Sequence, residues 1–230
     1  MGKVGLTDKQ EADYIAYGKR ARGEGKVLTE KQKVTYNDLC EKRAHPKLPD
    51  TCTSYLKEWY SHQRWGAPED VQTKYTLKGI IREDEAIEAI AVKFGEPMEK
   101  NEVYYENDYM TGTPDVVSDI IYDTKCPWNG KTFLAHVTEP NDTLYEWQMR
   151  GYMYLVDRQQ AKVCYVLLDT PEEINQGNEV KFSDTPIEDR IYYFTVDRDY
   201  GKEREIEARV ELCKDWLYEY DKKVCSELNK

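Results

Sequence analysis

Two carboxylates and an amine stand close together in this chain. Asp115 ends Gly112-Thr113-Pro114-Asp115, and eight residues further on Asp123-Thr124-Lys125 brings a second carboxylate and a lysine. A hard divalent cation takes oxygen ligands from more than one backbone segment, and an amine beside it can orient or deprotonate an attacking water. Asp123 and Lys125 are two apart on a predicted strand and so share a face. Asp115 joins them there if the hairpin between the two aspartates has a three-residue loop or a bulge, whereas a two-residue turn puts the carboxylates on opposite faces. The spacing leaves both arrangements open.

Pro-Asp followed by Asp-x-Lys is short enough to arise by chance, so its weight comes from the elements around it. A helix is predicted from about Leu77 to Phe94, with Ile80, Ile87, Ile90 and Phe94 on one face. At roughly 100° per residue Glu83 falls inside that apolar stripe, while Glu85 and Glu88 point away. A carboxylate there must find a cation or a donor. A second helix is predicted from about Thr143 to Val156, capped by Asn141 or Asp142. Leu144, Tyr145, Gln148, Tyr152 and Leu155 share one face of it, which aims the Gln148 amide at the sheet.

The sheet itself is expected from Glu102 to Met110, Pro114 to Val117, Ile120 to Cys126, Lys162 to Leu168 and Arg190 to Val196, with Thr132 to Val137 as a further strand or a loop. Upstream, Thr7 with Gln10 and Thr29 with Gln32 have capping-box spacing, so helices should begin near residues 8 and 30, and a third should run from about Thr51 to Arg64. A closing helix, about Lys202 to Leu228, places Ile206, Val210, Cys213, Leu217, Tyr220 and Val224 on a side expected to pack. This order fits an α/β fold, a mixed central sheet flanked by helices, with a helical N-terminal extension over residues 1–76 and a core over 77–230.

The chain has 230 residues and a net charge of −11, which argues against a protein that coats nucleic acid through non-specific phosphate binding. An acidic total still admits a local basic patch, and Lys19, Arg20, Arg22, Lys26, Lys31 and Lys33 form a candidate one for DNA. The six cysteines are scattered with no CxxC pair, so they read as reduced packing residues rather than a zinc, iron–sulfur or disulfide framework. No apolar run approaches a membrane span and Met1 to Lys9 holds no apolar leader stretch, so a soluble, cytoplasmic protein is expected, in the host cytoplasm if viral. His45, His62 and His136 are isolated from one another and are expected in packing or surface hydrogen bonds.

Thr113-Pro114-Asp115, Asp123-Thr124-Lys125-Cys126-Pro127, and Tyr145-Glu146-Trp147-Gln148 leading into Gly151-Tyr152 resemble the lambda exonuclease and YqaJ-like viral recombinase family of the PD-(D/E)XK nuclease superfamily. Gly79-Ile80-Ile81-Arg82-Glu83-Asp84-Glu85-Ala86 is similar to that family's first helix motif, and the likeness runs from about Leu77 to the C-terminus. The resemblance implies a restriction-endonuclease-like core and a Mg2+-dependent exonuclease, with Mn2+ able to substitute, that degrades one strand of duplex DNA from its 5′ end in phage-type recombination. It further implies Asp115, Asp123, Glu83 and the Thr124 carbonyl as metal ligands and Lys125 and Gln148 as catalytic partners. Tyr145 and Tyr152 are expected mainly to pack and secondarily to touch DNA. A ring-shaped trimer and a single-strand annealing partner follow from the same resemblance. Residues 1–76 do not match, and the segment that forms the family's 5′-phosphate pocket is not found there. The alternatives are a structure-specific endonuclease on the same fold and a non-catalytic DNA-binding module.

Overall fold

Thr7 and Thr29 close capping boxes with Gln10 and Gln32, and helices α1 (Asp8–Ala21) and α2 (Glu30–Ala44) begin where these pairs place them. Each cap satisfies amides that the first helical turn leaves free, an effect of about 1 kcal/mol. The computed structural model describes residues 5–66, 72–139 and 143–229. Helix α3 (Asp50–Trp65) follows the Pro49 break one residue earlier than expected.

The chain divides into two compact units. One holds α1, α2 and α3 together with the part of the last helix, α7 (Tyr200–Leu228), that begins at Ala208. Leu6, Leu28, Leu39 and Leu56 are its buried apolar residues. The Tyr60 hydroxyl donates to Asp221 at 2.6 Å, and the Tyr60 ring meets Tyr220 edge-on. Along α7 the expected stripe from Ile206 to Val224 is half-buried throughout.

The second unit carries the sheet. Strands β3 (Val116–Val117), β4 (Ile121–Lys125), β5 (Gln160–Val166) and β6 (Ile191–Asp197) lie side by side in chain order. The β3/β4 and β5/β6 pairs are antiparallel and β4/β5 is parallel. A parallel pair needs a long crossover, and helices α5 (Gly130–Thr138) and α6 (Thr143–Val156) supply it. Alternation along β4 and β5 builds two cores, one per face. Ile121, Val163 and Tyr165 pack against Met149 and Met153 of α6, while Tyr122, Cys164 and Val166 pack against Ala86, Ile87 and Ile90 of α4 (Lys74–Phe94). Burial of each of these large apolar side chains contributes roughly 1.5–3 kcal/mol.

Four expectations change here. The long strand from Glu102 to Met110 shrinks to β1 (Tyr105–Glu106), which pairs with β2 (Thr111–Gly112) in a separate ladder. The Asn107 side chain accepts the amides of Tyr109 and Met110 and so turns the chain. Thr132 to Val137 lies inside helix α5, because Asn129 caps it through the Thr132 amide. On α4, Ile80 is 53% exposed and the fully buried residue of that turn is Lys78, since loops from β4 and β5 close over the helix start. On α6, Leu144 is 65% exposed, and the inward stripe runs through Tyr145, Met149, Tyr152, Met153 and Val156 instead. The caps expected at Asn141 or Asp142 lie outside the described residues.

Candidate active site

Val116 pairs with Tyr122 and Val117 with Ile121, which leaves a three-residue loop closed by the Ser118 amide on the Ile120 carbonyl. That register puts Asp115 opposite Asp123, the same-face arrangement that the spacing alone left open. Asp115 Oδ2 then accepts the Thr124 amide at 2.7 Å and the Thr124 hydroxyl at 2.9 Å. Asn101 holds the Asp115 backbone from the other side, donating its amide to the Asp115 carbonyl at 2.7 Å and its Nδ2 to the Pro114 carbonyl at 2.9 Å.

Asp123 is 1% exposed. Lys125 Nζ is in ion-pair contact with Asp123 Oδ2, and beyond that ammonium neither buried carboxylate oxygen has a hydrogen-bond partner among the described residues. Burial pushes the Asp123 carboxyl up to about 6; Lys125 works against this shift, while the charges of Asp115 and Glu83 add to it. For Lys125, burial pulls the amine down, but the Asp123 and Asp115 charges prevail and hold it above its usual value. Its Nζ also lies 5.2 Å from the centre of the Tyr145 ring, a cation–π contact.

Glu83, Asp115, Thr124, Lys125, Trp128 and Tyr145 line one cavity of about 600 Å³. Glu83 is tied there to Lys100 at 3.0 Å, and Lys100 also reaches Asp84 at 3.3 Å. Gln148 Nε2 donates to the Tyr152 hydroxyl at 3.0 Å. Burial is the main cause that lifts the Tyr152 pKa, and the charges of Asp123 and Asp115 add to it, so this pair stands beside the carboxylates. Gly112 makes room for that ring, because a Cβ in its place would lie 2.6 Å from Tyr152 Cε1.

The residues present fit a hard cation. A buried carboxylate that meets a single ammonium keeps acceptor capacity for a hard cation, and Mg2+ needs one or two carboxylates because it keeps several waters. Among the described residues no three acidic, histidine or cysteine side chains come close enough to form a complete cluster. Asp115 and Asp123 face each other across the hairpin, and Glu83 lines the cavity wall.

The basic residues of α1 and α2 belong to the other unit. Arg20 spends its donors on the Lys26 and Val27 carbonyls and on Gln32, while Arg22 pairs with Glu24 and Lys33 with Glu30. Lys19, Lys26 and Lys31 are exposed.

Residues not anticipated from sequence are Lys78, Lys100, Asn101, Trp128 and His136. His136 lines the cavity and stacks on Tyr165 at 4.1 Å. Tyr165 is the β5 register partner of Lys125, so strand pairing was the missing signal. Lys100 and Asn101 adjoin the strand expected from Glu102 but carry no periodic mark of their own.

A mixed sheet that sets Asp115, Asp123 and Lys125 on one hairpin, between one helix carrying Glu83 and another carrying Gln148, defines the PD-(D/E)XK nuclease class. No protein-family model and no curated protein matches the chain. Among solved structures, a phage-related exonuclease from Haemophilus somnus 129PT aligns with a TM-score of 0.72 and 26% identity, over 87% of this chain and 91% of its own. The alkaline exonuclease LHK-Exo from Laribacter hongkongensis shares the fold with a TM-score of 0.61 and 19% identity, over 79% of this chain and 89% of its own. A second structure of LHK-Exo, in complex with dAMP, aligns with a TM-score of 0.58 and 16% identity, over 97% and 94% of the two chains. Within the PD-(D/E)XK class, the chain is similar to exonucleases of the lambda exonuclease and YqaJ-like family.

Proposed function

We propose that this chain is a Mg2+-dependent DNA exonuclease, with Mn2+ able to replace Mg2+, that shortens one strand of linear duplex DNA from its 5′ end. The observation that carries this reading is Asp123, buried opposite Asp115, with the Lys125 ammonium as its one polar contact among the described residues and acceptor capacity left over. The likeness to a phage-related exonuclease supports the same chemistry. A role in phage-type recombination, with an annealing partner and a ring of three copies, belongs to the same proposal.

Asp115, Asp123 and the Thr124 carbonyl would hold the cation, and Glu83 a second one or its water. A divalent cation held by these residues would supply charge neutralisation at the phosphate. Lys125 stays protonated beside Asp123, so it acts as a donor that orients the attacking water and stabilises charge on the phosphate. A bond forms between the water oxygen and phosphorus as the bond to the 3′-oxygen breaks. The water gives up its proton to solvent, and the leaving oxygen takes one. Gln148, bonded to Tyr152, steadies the lysine or the water, and Tyr145 seats the ammonium. Lys19, Arg22, Lys26, Lys31 and Lys33 would meet DNA phosphates, and Arg20 shapes their loop.

End-labelled duplexes with and without a 5′-phosphate, set beside closed circles in Mg2+ or in EDTA, test this reading. The expected result is loss of 5′ label from linear DNA in Mg2+, with circles intact and no cleavage in EDTA. Cut circles would favour an endonuclease on the same site. Binding without cleavage by folded protein would leave a DNA-binding module.

A further inference from the structure

Lys78 is a lysine with no solvent exposure, held by two segments from outside its own helix. Its Nζ donates to the Pro127 carbonyl at 2.8 Å, the Trp128 carbonyl at 3.2 Å and the Thr170 hydroxyl at 2.8 Å. Thr170 passes its own hydrogen to the Trp128 carbonyl at 3.0 Å, so the three acceptors form one closed set. All three hydrogens of the ammonium reach uncharged oxygens. Burial pushes its pKa down to about 8, which still leaves it an ammonium in the neutral range.

Burying a cation against neutral oxygens is a poor way to gain stability, since a well-packed apolar side chain of similar size serves as well or better. What the ammonium adds is direction: three bonds that tie its helix to two further segments, two to adjacent carbonyls after β4 and one to the Thr170 hydroxyl after β5. Two of its acceptors sit two and three residues past Lys125, where β4 ends. Lys78 itself lies on α4, five residues before Glu83. Arg82 of the same helix ties the exit of β5, through the Asp169 carbonyl at 3.0 Å.

We propose that Lys78 is a positioning residue of the nuclease site, which fixes the end of β4, and with it Thr124 and Lys125, against the helix that carries Glu83. The inference rests on the nuclease reading. Outer-shell groups of this kind typically change metal affinity or activity by ~10–100-fold when removed.

Lys78→Met keeps the length and volume of the side chain and removes the three donors. Calorimetric titration of Mn2+ into DNA-free protein should show binding weakened about tenfold or more, and kcat should fall on the same ~10–100-fold scale with KM for DNA little changed. Val196→Ala, a core change on β6 beside the start of β5 and away from the end of β4, serves as the control for lost stability and should leave Mn2+ binding and kcat as they are. If Lys78→Met does not fold, Thr170→Val removes one acceptor and the link to Trp128, and it should show the same split at a few-fold size. A folded Lys78→Met, or failing that a folded Thr170→Val, that binds Mn2+ and turns over like wild type overturns the inference. Wild-type protein that neither binds Mn2+ nor cuts DNA overturns the nuclease reading and this inference with it.

Discussion

Asp123 sets function against stability within one side chain. Burial lifts its carboxyl from 3.8 to about 6, so the folded state holds the proton more tightly than the unfolded chain does. The sign follows from linkage: below the unfolded value the residue costs nothing, the penalty grows as pH rises toward the folded value, and above that it is constant. Asp123→Asn should therefore stabilise the metal-free protein by about 1–3 kcal/mol at pH 8 and by much less at pH 4–5, while ending cleavage. Thermal unfolding in EDTA at the two pH values reads this directly, and a lower Tm for the variant at pH 8 would contradict it. That Asp123 and Lys125 share a strand was legible in the sequence, because a strand repeats every two residues. Lys78 was not, because it lies off the apolar stripe of α4 and is buried by loops from distant parts of the chain. Periodicity reports which face of an element is apolar, and says nothing of what folds over its end.

At the scale of elements, the three-residue loop between β3 and β4 decides whether two carboxylates meet, and the sequence could state that condition without resolving it. Helix caps were readable at Thr7 and Thr29 because both partners are local, and the same logic at Asn129 was overlooked under an apolar run. The strand expected through Met110 failed because Asn107 supplies side-chain acceptors for a turn, a local preference that outweighed strand propensity. The position of Glu83 on the α4 stripe calls for a cation or a donor, and Lys100 from the segment after the helix is that cation. Gly112 is where β2 meets α6. Gly112→Ala must move the Tyr152 ring, which is bonded to Gln148, and is expected to cost about 1–3 kcal/mol by overpacking. Urea unfolding should show that loss, and cleavage should drop with it; a variant as stable and active as wild type would show that the contact relaxes freely.

For the molecule as a whole, the helices before Trp65 do not make a unit by themselves, since α7 from Ala208 onward completes it. Ending the chain after Glu207 removes the partners of Tyr60, so amides of α3 should lose exchange protection far more than those of β4 and β5. Equal loss in both regions would show one cooperative body. A net charge of −11 also means that DNA is not drawn in by overall attraction, and the burden of phosphate binding falls on local lysines and on a bound cation. The fold lies within the nuclease class, and on the function proposed above a cation held between the aspartates would make it a working nuclease. Anomalous diffraction from crystals soaked in Mn2+ tests this most directly. A peak within ligand distance of Asp115, Asp123 and the Thr124 carbonyl is the predicted result, and a saturating soak that leaves this position empty, or places the ion elsewhere, would contradict the account.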